Sequence, residues 1–138
     1  MHEIVDVMEL AVPALAGTID AKGGVLVAAL RQVLDPVAEG LGLAPCRHDM
    51  FAAKVLSWEN RDRRIAVSVH AGRAESNNEV LLAVLGAAAH FDVDWLVAVL
   101  PSRYKQGHTF EKVVAQLGAL SRAGGVRMDL VGVTLVGF

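Results

Sequence analysis

The chain has a single cysteine, Cys46, which excludes an internal disulfide and a cysteine-based zinc site. Aromatic residues are scarce at 5%, so the core has to be built mainly from Val, Leu and Ala. No apolar run reaches the length of a membrane span. The longest, Val80–Ala89, is about half of the roughly 20 residues a bilayer needs. The opening MHEIVDVMEL carries acids and no basic stretch, so no signal peptide is expected. A strong charge imbalance is missing too: 13 Lys and Arg against 15 Asp and Glu leave a net charge of −2, which argues against a strong non-specific nucleic-acid binder. Neither a Walker A loop (GxxxxGK[ST]) nor a nucleophile elbow (GxSxG) occurs. A soluble, cytoplasmic, single domain over residues 1–138, with no membrane partner, is the expectation.

What is present is apolar and regularly spaced. Hydrophobic residues make up 54% of the chain and mean hydropathy is +0.43, ample for a core. Charge is uneven: residues 1–46 hold two basic and six acidic residues, whereas residues 47–138 hold eleven and nine, leaving room for a local basic face.

His2–Ala16 has helical spacing at Ile4, Val5, Met8, Val12 and Leu15, with Pro13 placed to end or bend it. Val25–Leu43 is helical again through Leu26, Leu30, Val33, Leu34, Val37 and Leu41. Asp35-Pro36 is expected to interrupt it, Asp35 capping a new turn with Pro36 at its first position. Met50–Trp58 and Arg64–His70 flank a polar connector, Glu59–Arg63. In the second run Ile65, Val67 and Val69 alternate with Ala66, Ser68 and His70, a strand pattern, and the pair reads as an antiparallel hairpin.

Ser76 with Glu79 is a capping-box signature. The helix it opens, Asn77–His90, is apolar nearly all round and so is expected to be buried on several sides. Trp95–Leu100 is a continuous apolar strand of the kind found inside a sheet. Thr109 opens a helix striped by Phe110, Val113, Val114, Leu117 and Leu120, which Gly124-Gly125 ends. Arg127–Phe138 returns as a strand. The predicted fold is α/β, with a mixed β-sheet (antiparallel hairpin plus parallel strands) flanked by helices in the order α-α-β-β-α-β-α-β.

The stretch richest in usable chemistry is Pro101–Thr109, at the end of the apolar strand. Ser102, Arg103, Tyr104, Lys105 and His108 form a basic loop, and Thr109 begins a helix. A strand that ends in a cationic loop and feeds a helix N-terminus offers charge and N–H donors to an anion. The plainer reading is a solvated loop whose Thr109 caps its helix.

A second basic set surrounds the hairpin: Arg47, Lys54, Arg61, Arg63, Arg64 and Arg73. Such a cluster can grip a phosphate backbone, with Trp58 and Phe51 available for stacking; the alternative is an ordinary charged turn. Hairpin register also suggests that Asp49 or His48 approaches His70, a pairing suited to metal binding or proton transfer. The catalytic candidates are therefore Asp49, Glu59 and His70.

The succession helix, β-hairpin, helix, strand, helix, strand over residues 25–138 resembles the core of the PD-(D/E)xK restriction-endonuclease superfamily. IAVSVH leads through a polar loop to an apolar helix and then to WLVAVLPSR. The resemblance implies a metal site made by an Asp on the first hairpin strand and Glu-x-Lys on the next. Asp49 matches the Asp. The second strand offers Ser68-Val69-His70 instead, so magnesium binding and water activation lose their usual groups. A divalent metal is expected only if Asp49 converges with a second carboxylate, Glu59 or Glu75.

The resemblance thus implies a nuclease-like scaffold that binds a nucleic acid or phosphorylated ligand without the standard nuclease chemistry. Two other readings stand beside it. One is a small-molecule or nucleotide-binding enzyme using the 101–109 loop. The other is a homo-oligomeric interaction subunit, most simply a homodimer, built on the apolar helix.

Overall fold

The computed structural model of the chain describes residues 3–6, 23–47, 55–72, 74, 78–90 and 92–138. Residues 3–6 are helical. After them come α1 (Gly23–Gly40), β1 (Ala44–Pro45), β2 (Trp58–Asn60), β3 (Ile65–Val69), α2 (Glu79–Ala88), β4 (Trp95–Leu100), α3 (Thr109–Arg122) and β5 (Gly132–Gly137). The fold is α/β around one five-stranded mixed sheet. Its strand order follows the chain, β1-β2-β3-β4-β5. The first three strands pair antiparallel, and β3-β4 and β4-β5 pair parallel.

Side-chain alternation along the central strands decides which helix covers which face. Ile65, Val67, Val97 and Val99 point to the face where Leu30, Leu34 and Ala38 of α1 join Ile4 and Trp58. Ala66 and Leu96 point the other way, onto Ala83, Val84 and Ala87 of α2, with Leu117 and Leu120 of α3 alongside. Ala98 and Leu100 meet Val80 and Val113 on that same face. Both parallel crossovers therefore lay their helices on one side, and α1 closes the other. Among the described residues no helix is long and apolar enough to cross a membrane.

Several boundaries differ from the sequence reading. Asp35-Pro36 does not break α1, which runs unbroken through Pro36. Pro36 and Gln32 both lie on the exposed face, so water can reach the carbonyl that Pro36 leaves unbonded. Asp35 does not cap a turn; its carboxylate accepts the Trp58 indole N–H at 3.1 Å. The helix stops at Gly42, whose φ of 69° suits glycine.

The first hairpin strand begins at Trp58 rather than covering Met50–Trp58; residues 50–54 lie outside the described set, and Val55 is helical. The turn is 61–64, two residues later than the expected connector, because Glu59 and Asn60 belong to β2. Asn60 sets that turn by accepting the Arg63 N–H at 3.0 Å, and it donates to the Gly42 carbonyl at 3.0 Å. The two-residue β1 was not anticipated, since a strand so short leaves no periodicity.

Of the expected helix His2–Ala16, residues 7–16 lie outside the described set. Helix α2 starts at Glu79 rather than Asn77. Asn78 precedes it in the left-handed region (φ 54°) with no side-chain cap, and Ser76 lies outside the described residues. The terminal strand starts at Gly132, five residues into the expected run.

Gly132 shows how tightly β4 and β5 meet. A Cβ there would sit 2.8 Å from the Trp95 ring, and that ring is pinned by an indole N–H···Thr134 Oγ1 bond of 2.9 Å. Gly132→Ala is expected to lower stability by about 1–3 kcal/mol through overpacking, read as a drop in the urea midpoint. An unchanged midpoint would mean the indole swings away freely.

Candidate functional site

The C-terminal ends of β3 and β4 lie side by side, and the loop that follows each strand contributes to one polar region. β3 delivers Ser68 and His70, both on the α2 side. Ser68 is 0% exposed and His70 5%. Ser68 Oγ and His70 Nε2 are 2.9 Å apart, and His70 Nδ1 lies 3.7 Å from Glu79 Oε2 in the first turn of α2. Hydroxyl, imidazole and carboxylate stand in line. Ser68 is nevertheless sealed inside a regular strand, and a nucleophile has to reach its substrate. The line therefore ties the end of β3 to the start of α2.

The basic loop adjoins this point. Tyr104 lies against the backbone of Gly72, where a Cβ would meet the ring at 3.4 Å. Tyr104 and Gly107 exchange backbone hydrogen bonds, closing a small turn in which Lys105 adopts φ 55°. The Lys105 ammonium stands 5.6 Å from the Tyr104 ring centroid. Ser102 sits where β5 ends, its N–H donating to the Phe138 carbonyl. Arg103, Lys105 and His108 are exposed. His108 Nδ1 is 3.5 Å from Glu111 in the first turn of α3, so an incoming anion would compete with that carboxylate.

Thr109 departs from the expected cap. His108 holds the N-cap position without a side-chain bond, and Thr109 is the first helical residue. Its hydroxyl is fully buried with no hydrogen-bond partner among the described residues.

The hairpin arginines lie at the other end of the sheet. β4 separates the two regions by six residues, about 20 Å at the rise of an extended strand. Three of the four described hairpin arginines are engaged by carboxylates, and Arg47 is exposed without a carboxylate partner among the described residues. Arg61 meets Glu59 at 3.1 Å, Arg63 meets Glu3 at 3.2 Å, and Arg64 grips Asp94 at 2.6 and 2.8 Å. Asp94 is also a backbone junction. Its N–H donates to the Arg64 carbonyl, and its own carbonyl accepts from Val131 and Gly132. Hydrogen bonding to Arg64 holds the Asp94 carboxyl below its ordinary pKa, and the same bond raises Arg64. Lys54 and Arg73, the remaining members of the predicted hairpin set, lie outside the described residues.

Glu59 and His70 share the α2 face of the sheet but are used separately. Glu59 is 6% exposed; its Oε2 lies 3.4 Å from His90 Nε2, just beyond α2, and 4.0 Å from the Cys46 thiol. Asp49, His48 and Glu75 lie outside the described residues. Among the described residues no group of three or more His, Cys, Asp or Glu is arranged to hold a metal. Sequence reasoning passed over His90. Its only signal was a histidine closing an apolar helix, and its partner on β2 was not visible from spacing.

An apolar groove of about 390 Å³ opens between α3 and β5, lined by Val114, Leu117, Leu120, Met128, Leu130 and Val133 among others. It holds no titratable group. No family model matches the chain, and neither a curated protein nor a solved structure matches it.

The Arg64–Asp94 pair has a defined pH signature. A carboxyl depressed in the folded state adds stability above its unfolded pKa, near 3.8, and loses it as pH falls through the lower folded value. Wild type should therefore melt above Asp94→Asn at neutral pH, with the gap closing progressively below about pH 3.8. A gap independent of pH would assign the role of Asp94 to its backbone alone.

Proposed function

We propose that the chain is a nuclease-like α/β scaffold that binds a phosphate-bearing partner, nucleic acid in the first instance, at the Pro101–Thr109 loop and the start of α3. It would do so without the Glu-x-Lys chemistry of the superfamily it resembles. The observation that carries this reading is a contrast between the two basic regions. Arg61, Arg63 and Arg64 at the hairpin turn are each already paired with a carboxylate. In the loop, Arg103 and Lys105 meet no carboxylate among the described residues, and they stand before a helix N-terminus whose dipole favours negative charge. Thr109, 0% exposed, is sealed like Ser68, so its hydroxyl, unpartnered among the described residues, is a packing feature and not a ligand group.

Support for the scaffold comes from the antiparallel β1-β2-β3 leading into parallel β3-β4 across α2, with Ser68 and His70 at the positions the superfamily gives to Glu and Lys. Fold alone does not fix function, so the weight rests on the loop.

Binding of a labelled oligonucleotide, followed by anisotropy across a salt series, tests the reading. Affinity should fall as salt rises. Arg103→Ala and Lys105→Ala should each reduce the log–log slope by about one, while Arg63→Ala leaves it unchanged. Thr109→Val should stabilise the free protein by about 1–3 kcal/mol, because it removes an orphaned polar group, and should leave binding unchanged, since the hydroxyl is sealed from solvent. No binding at low salt, or binding indifferent to the loop variants, overturns the nucleic-acid reading. Stabilisation by mononucleotides alone would instead favour a nucleotide-binding enzyme at the same loop.

A further inference from the structure

Tyr104 is the aromatic of the basic loop, and its ring is already in use on both faces. A Cβ built on Gly72 would stand 3.4 Å from Cζ and 3.6 and 3.7 Å from the two Cε atoms. Such near-equal distances place that point over the ring face and not off its edge. Gly72 is buried there at φ 69°, a conformation suited to a residue without a side chain. The Lys105 ammonium lies over the same ring, 5.6 Å from its centroid. Because Gly72 fills the inner face and Lys105 is exposed, the ammonium takes the outer one.

The backbone holds this stack in place. Tyr104 and Gly107 exchange both backbone hydrogen bonds, at 3.1 and 3.0 Å, so Lys105 and Gln106 form a two-residue turn. Turns this tight favour glycine or asparagine where φ is positive, yet Lys105 occupies that place at φ 55°. A lysine kept where glycine would be less strained points to a use for its side chain.

We propose that Tyr104 is a positioning residue: its ring, backed by Gly72, is the shelf that holds the Lys105 ammonium out toward a phosphate of the bound partner, and it does not stack on a base. This role rests on the nucleic-acid reading above and narrows it to contact with the sugar–phosphate chain. An ammonium lying on a ring turns one side to the π-face and keeps N–H donors for an anion on the other. A base needs an open aromatic face, and Tyr104 has none to offer while Lys105 is in place. Trp58, the other described aromatic considered for stacking, is 2% exposed beneath Arg31.

Two measurements on the full chain test this. In the free protein, the protons next to the Lys105 ammonium should resonate upfield through the ring current of Tyr104, an effect kept in Tyr104→Phe and lost in Tyr104→Leu. Ordinary lysine shifts in the wild type overturn the proposal without any variant having to fold. In the second, anisotropy compares a labelled single-stranded oligonucleotide with an abasic one of the same length, which has the phosphates and no bases. Tyr104→Leu should weaken both about two- to fivefold, as loss of an exposed cation–π contact implies, and Tyr104→Phe should bind as wild type. In a Lys105→Ala background, Tyr104→Leu should have no further effect. A loss confined to the base-bearing strand means that Tyr104 stacks, and a loss that persists without Lys105 means that it acts by another route; either overturns the proposal. If the wild type binds neither strand, the nucleic-acid reading falls, and the lysine spectrum alone still decides whether Tyr104 places Lys105.

Discussion

Pairing β3 with β4 in parallel is the constraint from which the rest of the arrangement follows. The ladder runs in register from Ile65 and Trp95 to Val69 and Val99, and its central residues are buried on both faces. A sheet centre of that kind needs cover on two sides. The crossover through α2 and the next one through α3 both land on the same side, so the other face falls to α1, with Leu30, Leu34 and Ala38. Parallel strands also sort their ends. The starts of β4 and β5 and the hairpin turn meet at Asp94 and Arg64, while the ends of β3 and β4 bring together His70, Tyr104 and the first turn of α3. One pairing thus sets the two basic regions at opposite ends of the sheet.

That separation changes what the charges can do. An arginine held by a carboxylate has to break that pair before it can serve a ligand. The geometry at Arg64 is bidentate, with Asp94 further locked by its own backbone bonds. The hairpin arginines therefore read as fasteners that keep the turn, β4 and β5 in register. The loop after β4 has cations of the opposite character: exposed, placed in a tight Tyr104–Gly107 turn and next to helix N–H groups. More basic residues surround the hairpin than sit in the loop, yet number does not decide which can serve a ligand. What distinguishes them is commitment, and that is a property of tertiary structure.

Elements whose identity rests on periodicity were legible. The strand Trp95–Leu100 and the helix from Thr109 were read residue for residue at their starts, because a continuous apolar run and a clean three-four spacing leave little choice. Elements decided by partners were not. Pro36 looks like a break until its exposed position is known. Glu59 looks like a connector residue because its neighbours are Asn60, Arg61 and Asp62; His90 and Arg61 closing around it help make a buried strand carboxylate tolerable. Thr109 looks like a cap because threonine usually is one, and it was displaced by a single residue. The candidate site was legible as a loop of the right composition. Its contents, an orphaned hydroxyl and a tyrosine laid on Gly72, follow from packing between segments more than thirty residues apart.

Helix α2 raises a different question, since its own surface gives it little to hold on to. Its buried side is Val80, Ala83, Val84, Gly86 and Ala87, small and smooth, and its outer side still carries Leu82 and Leu85. Such a helix gains by being buried but gains nearly as much in neighbouring registers, because no large knob selects one hole. The selection falls to its two ends. Glu79 in the first turn meets His70 at the end of β3, and His90, just past the last turn, meets Glu59 on β2. Glu79 in the first turn also suits the helix dipole. The two contacts lie at opposite ends of a ten-residue helix, so sliding or rotating α2 by one residue breaks both at once. The Glu59–His90 pair is buried on both sides and Glu79 is still 38% exposed, and neither kind of polar pair adds much net stability compared with apolar packing. Their effect here is positional: they fix α2 against the sheet. That placement puts Ser68 and His70 under the helix, where they join strand to helix instead of reaching solvent.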